Sequence, residues 1–232
     1  MNSKKIILEG NFESEILLET DSYLFATKPA GIPVHETKDT NRPDFTRLLT
    51  KYLGEKELRT INRLDLGTSG IVFFGKSGAD NTELDLILKS ATKEYLFLCL
   101  GIPEWTSKRE ECFIKDGNKK VSIVRSGGKK AISEFKILAT NSDLNISLGM
   151  ARIFTGRRHQ IRIMLSSLGF PILGDAVYGV DLQIPQKENR MYLHAYRFGF
   201  TVTPGEKIIV ETSIPKDFQK RMGKTEIFIP NE

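Results

Sequence analysis

Arg63, Leu64 and Asp65 lie inside the run Ile61-Asn62-Arg63-Leu64-Asp65-Leu66-Gly67-Thr68-Ser69-Gly70, and the apolar segment Ile71-Val72-Phe73-Phe74 follows at once. A carboxylate therefore stands two residues from a guanidinium, beside a glycine-marked turn, with a strand-like apolar run behind it. An Asp anchored by a strand suits nucleophilic or acid–base work. The neighbouring arginine suits an anionic partner. The same residues also fit a structural role, in which Asp65 caps the turn at Gly67 and pairs with Arg63 or another arginine. Buried Asp–Arg pairs are common and often only structural.

The segments that must position this run have readable periods. Ile16–Glu19 and Tyr23–Thr27 flank Thr20-Asp21-Ser22 and predict a strand–turn–strand unit. Lys28-Pro29-Ala30-Gly31-Ile32-Pro33 predicts a shaped loop. Phe45, Leu48, Leu49, Tyr52 and Leu53 recur at helical spacing, and Gly54 follows, so an amphipathic helix with a glycine stop is expected. Leu84, Ile87, Leu88 and Ala91 mark a second helix, and Glu94–Leu100 reads as a buried strand. Gly127-Gly128, between Val121–Val124 and Ala131–Phe135, predicts a hairpin. A third helix is expected after Gly156, with Ile161, Met164, Leu165 and Leu168 on its buried face and Gly169 at its end. Arg158 and Arg162, four apart, are expected to share a face away from that stripe. Short strands such as Ile208–Glu211 recur towards the C-terminus. The pattern predicts an α+β fold: a mixed, largely antiparallel central sheet with flanking helices. Its 232 residues, 40% of them hydrophobic, are ample for one core and marginal for two, so residues 1–232 are expected to form a single domain.

The net charge of +5 is compatible with a nucleic-acid partner without requiring one. Its distribution says more. Lys115 to Lys130 holds six Lys or Arg against one acid, and Arg152 to Arg162 holds four arginines and no acid. Clustering of this kind suits a phosphate-binding face, and it equally suits two solvated surface patches. Cys99 and Cys112 form no metal-like spacing, and His35, His159 and His194 lie far apart, so no metal site is expected. Sparse cysteine fits a reducing, cytoplasmic compartment. Met1-Asn2-Ser3-Lys4-Lys5 opens no long apolar leader, and no apolar run approaches membrane-spanning length.

Asn62-Arg63-Leu64-Asp65-x-x-Thr68-Ser69-Gly70 resembles the HRLDxxTSG signature of the RluA-type pseudouridine synthases, with Asn62 where most members have His. Further blocks resemble that family in the same order: Lys28-Pro29-x-Gly31, Lys93-x-Tyr95, Thr155-Gly156-Arg157-Arg158-His159-Gln160-Ile161-Arg162, Leu173-Gly174-Asp175 with Tyr178-Gly179, and Leu193-His194-Ala195. Several motifs in register over nearly the whole chain are a strong signal where one would be weak. The resemblance implies the pseudouridine synthase catalytic-domain fold and an RNA uridine isomerase. Such an enzyme breaks the N-glycosidic bond, turns the uracil and rejoins it through carbon, with no redox step and so no cofactor. It implies that Asp65 is the nucleophile, that Tyr95 stacks on the uracil, and that Arg162 pairs with Asp65 and keeps it ionised. Arg63 would fill the space left by the flipped base. Arg157 and Arg158 would hold phosphates, and the Lys28 and His194 blocks would be scaffold. Asn62, which hydrogen-bonds like neutral His but does not titrate, is expected to brace the loop.

Family members often carry an N-terminal S4 RNA-binding domain, and about fifteen residues before Ile16 are too few for one. Rather, the RNA, ribosomal or transfer, is expected to be gripped by a basic hairpin of Lys119, Lys120, Arg125, Lys129 and Lys130 on a monomeric protein. A non-catalytic RNA-binding or chaperone protein would keep the basic face without needing Asp65. A glycoside hydrolase would want two carboxylates, and the second acid in the matched blocks, Asp175, reads as a turn residue.

Overall fold

The structure, a computed structural model, describes residues 3–37, 42–179, 188–203, 205–224 and 226. Met1 and Asn2, part of the N-terminal stretch weighed above, lie outside them. In chain order the elements begin with β1 (Lys4–Leu8), β2 (Phe12–Glu19), β3 (Tyr23–Lys28), α1 (Phe45–Leu53), β4 (Leu58–Thr60), β5 (Ser69–Lys76) and α2 (Asn81–Ser90). Then come β6 (Thr92–Leu100), β7 (Ser107–Lys115), β8 (Ser122–Val124), β9 (Lys129–Asn141), β10 (Ile146–Ile153) and α3 (Gln160–Ser167). The chain closes with β11 (Leu193–Thr203), β12 (Glu206–Glu211) and α4 (Lys216–Lys224). These elements fall into two compact units, Met1–Thr92 with Ala195–Ser213 and Lys93–His194 with Ile214–Glu232.

In the first unit the strands run β1-β2-β3-β5-β11, with β4 paired to β5 and β12 to β11. The β2–β3 reversal forms as its sequence predicts, because Thr20 Oγ1 accepts the N–H groups of Ser22 and Tyr23 and closes the turn. β5 is buried along nearly its whole length, as its unbroken apolar run requires. Phe25 on β3 stacks on Phe73 of β5 at 4.6 Å, and Phe198 and Phe200 of β11 join them, with Leu84 and Ile87 of α2 packed into the same core. α1 begins where Asp44 accepts the Arg47 N–H and ends at Gly54, whose φ of 68° suits glycine. Tyr52, assigned to its buried face by spacing, is exposed on the solvent side.

The second unit is antiparallel at each of its pairings, in the order β6-β10-β9-β7-β8. The hairpin expected across Gly127-Gly128 does not form. β8 pairs with one edge of β7 (Ile114↔Ile123) and β9 with the other (Ile114↔Lys129), so β7 lies between them. A turn signal marks a reversal of the chain but does not say which strand fills the gap. Gly128 is what lets the link cross β7: a Cβ there would sit 2.9 Å from the Ile114 carbonyl oxygen.

α3 also departs from expectation. It starts at Gln160, because His159 takes a left-handed conformation (φ 53°). Arg158 therefore lies outside the helix and shares no face with Arg162, which turns inward and is buried. The fourth helix, α4, is not among the expected elements, although Phe218 and Met222, four apart after Pro215, are its buried face.

Candidate active site

Asp65 sits on the loop between β4 and β5, at the entry to the buried strand, and is half-buried with Leu64 buried beside it and Arg63 exposed. Hydrogen bonds to β5, to the Lys28–Gly31 segment and within the loop itself hold it in place. Asn62 Oδ1 accepts the Phe73 N–H of β5 at 2.7 Å, while the Ile61 N–H donates to the Phe73 carbonyl at 2.9 Å. The Leu66 carbonyl accepts from the Gly31 N–H at 2.8 Å and from the Lys28 ammonium at 3.4 Å. The Asp65 carbonyl accepts the Thr68 N–H at 3.1 Å.

Lys28 is 1% exposed, and its ammonium also donates to the carbonyls of Pro29 at 2.9 Å and Ile32 at 2.8 Å. A buried ammonium is tolerable because three acceptors meet its three donors. The block read as scaffold is thus the cation that ties the Lys28-Pro29-Ala30-Gly31 loop to the Asp65 loop. Gly70, paired with Lys28 across β3 and β5, adopts φ 111° and passes so close to β11 that a Cβ would lie 2.2 Å from the Ala195 carbonyl oxygen. Asn62 therefore does what a neutral ring nitrogen could do there: it accepts a backbone hydrogen bond.

The second unit carries Tyr95 and Arg162. Tyr95 is on β6, in register with Ala151 of β10, and is 7% exposed. Lys93 shares its face of the strand, and burial pushes the Lys93 ammonium below its usual range. Arg162 donates from Nε to one carboxylate oxygen of Asp175 at 2.7 Å and from an Nη to the other at 2.9 Å, with both side chains buried. Within its own unit Arg162 is thus paired with Asp175. Burial alone would raise the Asp175 carboxyl. The hydrogen bond and charge of Arg162, with the N–H groups of Val177 and Tyr178, outweigh it and hold the carboxyl below the usual carboxylate range. Asp175 closes a turn, as read, and in addition fixes the arginine.

Tyr178, three residues past Asp175 in the same turn, links this pair to the basic surface. Its ring lies 5.2 Å from the Arg162 guanidinium carbon, and its hydroxyl is 2.9 Å from His159 Nδ1 and accepts the Val121 N–H at 2.9 Å. Arg158 donates to the carbonyls of Gly117 at 2.8 Å, Asn118 at 3.3 Å and Lys119 at 3.0 Å. Arg157 donates from Nε to the Lys130 carbonyl at 2.9 Å. Lys119, Lys120, Arg125, Lys129 and Lys130 are all exposed, and Lys130 pairs with Glu111 at 2.8 Å. The structure thus gathers the basic residues around β7 and β8, with Arg157 and Arg158 engaging their backbone. Asp175, Tyr178 and Lys28 carry contacts that residue types alone did not reveal, although all three stand in the matched blocks.

Among the described residues no group of three or more His, Cys, Asp or Glu converges as metal ligands would, and no helix is long and apolar enough to cross a membrane.

Comparison with known proteins places these residues in a family. A family description, RNA pseudouridylate synthase, matches residues 22–167. A Bacillus subtilis protein described as an uncharacterized RNA pseudouridine synthase is 31% identical over 89% of this chain and 70% of its own length. A Neisseria meningitidis ribosomal large subunit pseudouridine synthase D is 29% identical over 88% of this chain and 59% of its own. A mitochondrial tRNA pseudouridine(32) synthase of Saccharomyces cerevisiae is 33% identical over 72% of this chain and 37% of its own. The solved structure of human RNA pseudouridylate synthase domain containing 4 shares the fold, with a TM-score of 0.72 at 21% identity over 93% of this chain and 94% of that one. The chain belongs to the RluA-type RNA pseudouridine synthases, enzymes that isomerise uridine to pseudouridine, and has the α+β catalytic-domain fold of that family.

Proposed function

We propose that Asp65 is the nucleophile that this enzyme uses on one uridine of a structured ribosomal or transfer RNA. The observation that carries the proposal is the bracing of the Asp65 loop by Asn62, Lys28 and Gly31. That bracing fixes a half-exposed carboxylate to a buried strand, as covalent catalysis requires. Tyr95 and Arg162 take the roles that the family resemblance implies, and Arg63, exposed two residues from Asp65, enters the stack as the target base leaves it. Extruding that base costs ~a few kcal/mol, which RNA contacts of the basic surface built by Arg157, Arg158, Lys119, Lys120, Arg125, Lys129 and Lys130 help to offset. The isomerisation transfers no electrons and no phosphate, so it needs neither cofactor nor metal. The two units work as a single catalytic domain, 1–232, acting as a monomer in the cytoplasm. Relatives named for the ribosomal large subunit and for transfer RNA keep both substrate classes in view.

Pseudouridine mapping of total RNA from cells with and without the gene should show the loss of one defined site. Asp65→Asn should lower turnover at that site by a thousandfold or more, on the order of losses seen for removed nucleophiles, while RNA affinity stays within about twofold. Turnover persisting in Asp65→Asn would remove Asp65 from the mechanism.

A further inference from the structure

We infer that Arg158 is a positioning residue for RNA: it acts by setting the shape of the basic loop Asp116–Val121 rather than by holding a phosphate itself. The inference rests on the reading of Lys119 and Lys120 as RNA contacts. Arg158 occupies the variable position of its motif block, yet its guanidinium reaches three consecutive carbonyls, those of Gly117, Asn118 and Lys119. A planar fork with five N–H donors suits such a cluster of acceptors, and an ammonium does not reproduce it.

Three carbonyls drawn to one cation constrain the whole loop. In a trans peptide each carbonyl points opposite to the next N–H, and no cis peptide occurs among the described residues. The N–H groups of Asn118, Lys119 and Lys120 therefore turn away from Arg158, and the two lysine side chains are exposed. The loop shows donors and positive charge on its outer side because its acceptors are drawn inward. Outward backbone N–H groups next to ammonium charges are what a phosphodiester chain meets best.

The far end of the loop is fixed by a second, separate contact. The Val121 N–H donates to the Tyr178 hydroxyl, which His159 Nδ1 also meets, and Tyr178 is seated by the Asp175 turn and the Arg162 guanidinium. His159 holds the left-handed conformation that points Arg158 out of α3 and towards the loop side. Val121 itself is buried, an apolar plug at the end of an otherwise exposed loop. Loop and motif thus form one preorganised element, which lowers the ordering cost of gripping RNA.

The test compares Arg158→Ala, Arg158→Lys, Lys119→Ala/Lys120→Ala and the triple variant. Binding is read with bulk transfer RNA across a salt series, and turnover with RNA from cells lacking the gene. Lys119→Ala/Lys120→Ala should flatten the log–log salt slope by about 1.5, near 0.7–0.9 for each lost phosphate contact. Arg158→Ala should flatten it by a similar amount although it removes one charge, should raise KM about tenfold, and should leave kcat within about threefold. The triple variant should bind within twofold of Lys119→Ala/Lys120→Ala. Arg158→Lys should recover only part of the slope. Tyr178→Phe, which keeps the ring and removes the acceptor for Val121, should give a smaller flattening of the same kind, and it serves if Arg158→Ala does not fold. The inference fails if Arg158→Lys restores the slope fully, if the triple variant loses affinity additively, or if Tyr178→Phe leaves the slope unchanged. Because the salt slope needs no turnover, a wild-type protein that modifies no uridine would overturn the catalytic reading and leave the loop result standing on its own.

Discussion

The loop that carries Asp65 and the basic loop that carries Lys119 and Lys120 are held in opposite ways. The first is gripped from the core: a buried ammonium, a strand N–H and a loop N–H satisfy its acceptors, and a glycine lets it pass against β11. The second stands in solvent and is gripped by one guanidinium and one tyrosine hydroxyl. The difference matches what the role proposed for each loop would demand. A nucleophile misplaced by about 1 Å loses about a hundredfold in rate, whereas screened attraction to phosphate tolerates such a shift over a Debye length of about 8–10 Å. Breaking each grip in turn tests whether the two loops differ as described.

The largest effect is expected at the anchor behind the basic loop. Asp175→Ala removes the bidentate partner of a buried arginine and should cost about 3–5 kcal/mol of stability, read as the denaturant midpoint at constant slope. The pH dependence follows from the direction of the Asp175 shift. Its folded carboxyl lies below the usual range, so the folded state binds fewer protons than the unfolded state. Its contribution is whole above the unfolded value of about 3.9 and fades as the pH falls through the folded value. Asp175→Asn should therefore flatten the acid limb of the stability curve below about pH 4. An unchanged acid limb would show that other carboxylates dominate it.

Next in size is the Asp65 side. Gly70→Ala places a Cβ 2.2 Å from the Ala195 carbonyl oxygen at φ 111°, and backbone rather than a flexible side chain must yield. A cost of about 2–3 kcal/mol is expected, lowering the melting temperature by roughly 4–12 °C. Turnover should fall even where the protein stays folded, because β5 and the Asp65 loop shift together. A variant that melts with the wild type and turns over normally would mean that the Asp65 loop is looser than its contacts imply.

How much of this contrast was legible in the sequence depends on the kind of contact. Strand periods, the α1 glycine stop and the motif blocks are local, and they placed Asp65 at the head of β5 and Tyr95 on β6. Partners far apart in the chain were not legible. Lys28 to Leu66 spans 38 residues and Arg158 to Gly117 spans 41. Neither is marked by residue type, because the acceptors are backbone carbonyls that every residue owns. The Gly127-Gly128 signal predicts a hairpin for the same reason: turn chemistry is local, and the strand that intervenes, β7, comes earlier in the chain. The αL kink at His159 is the third case. One backbone conformation starts the helix after Arg158, so the two arginines that spacing puts on one face part company.

At the start of β9, on the basic surface beside that loop, the effect should appear in affinity and hardly at all in stability. Lys129→Glu with Lys130→Glu reverses two exposed charges, one of them paired with Glu111. Exposed pairs contribute about 0.2–1 kcal/mol, so the melting temperature should move by roughly 2 °C. Binding to bulk transfer RNA should weaken at least about tenfold at low salt, and the log–log slope should flatten by about 1–2. Binding that does not change would remove these lysines from the RNA face and reduce the basic surface to solubility.

The smallest effect is expected for the swap of Asn62 to His, which sharpens the comparison most. Asn62→Ala orphans the Phe73 N–H and should cost about 1–3 kcal/mol. Asn62→His restores the residue most common in the family and should be almost silent at pH 8, because the imidazole Nδ1, like Asn62 Oδ1, is a δ atom able to accept that N–H. Turnover within about threefold of wild type is expected there. A silent swap would mean that the position braces and does not exchange protons. The two side chains part company at lower pH. A neutral His that accepts a hydrogen bond has its folded pKa depressed, so its stabilisation is present above about 6.5 and is lost as the pH falls below that value. Once protonated, Nδ1 becomes a donor facing another donor, and the loop is pushed off β5. Asn62→His should therefore lose stability and turnover together between about pH 6.5 and 5, while the wild type, with an amide that does not titrate, holds both across the same range. Parallel pH profiles for the two proteins would show that the Asp65 loop does not depend on this bond.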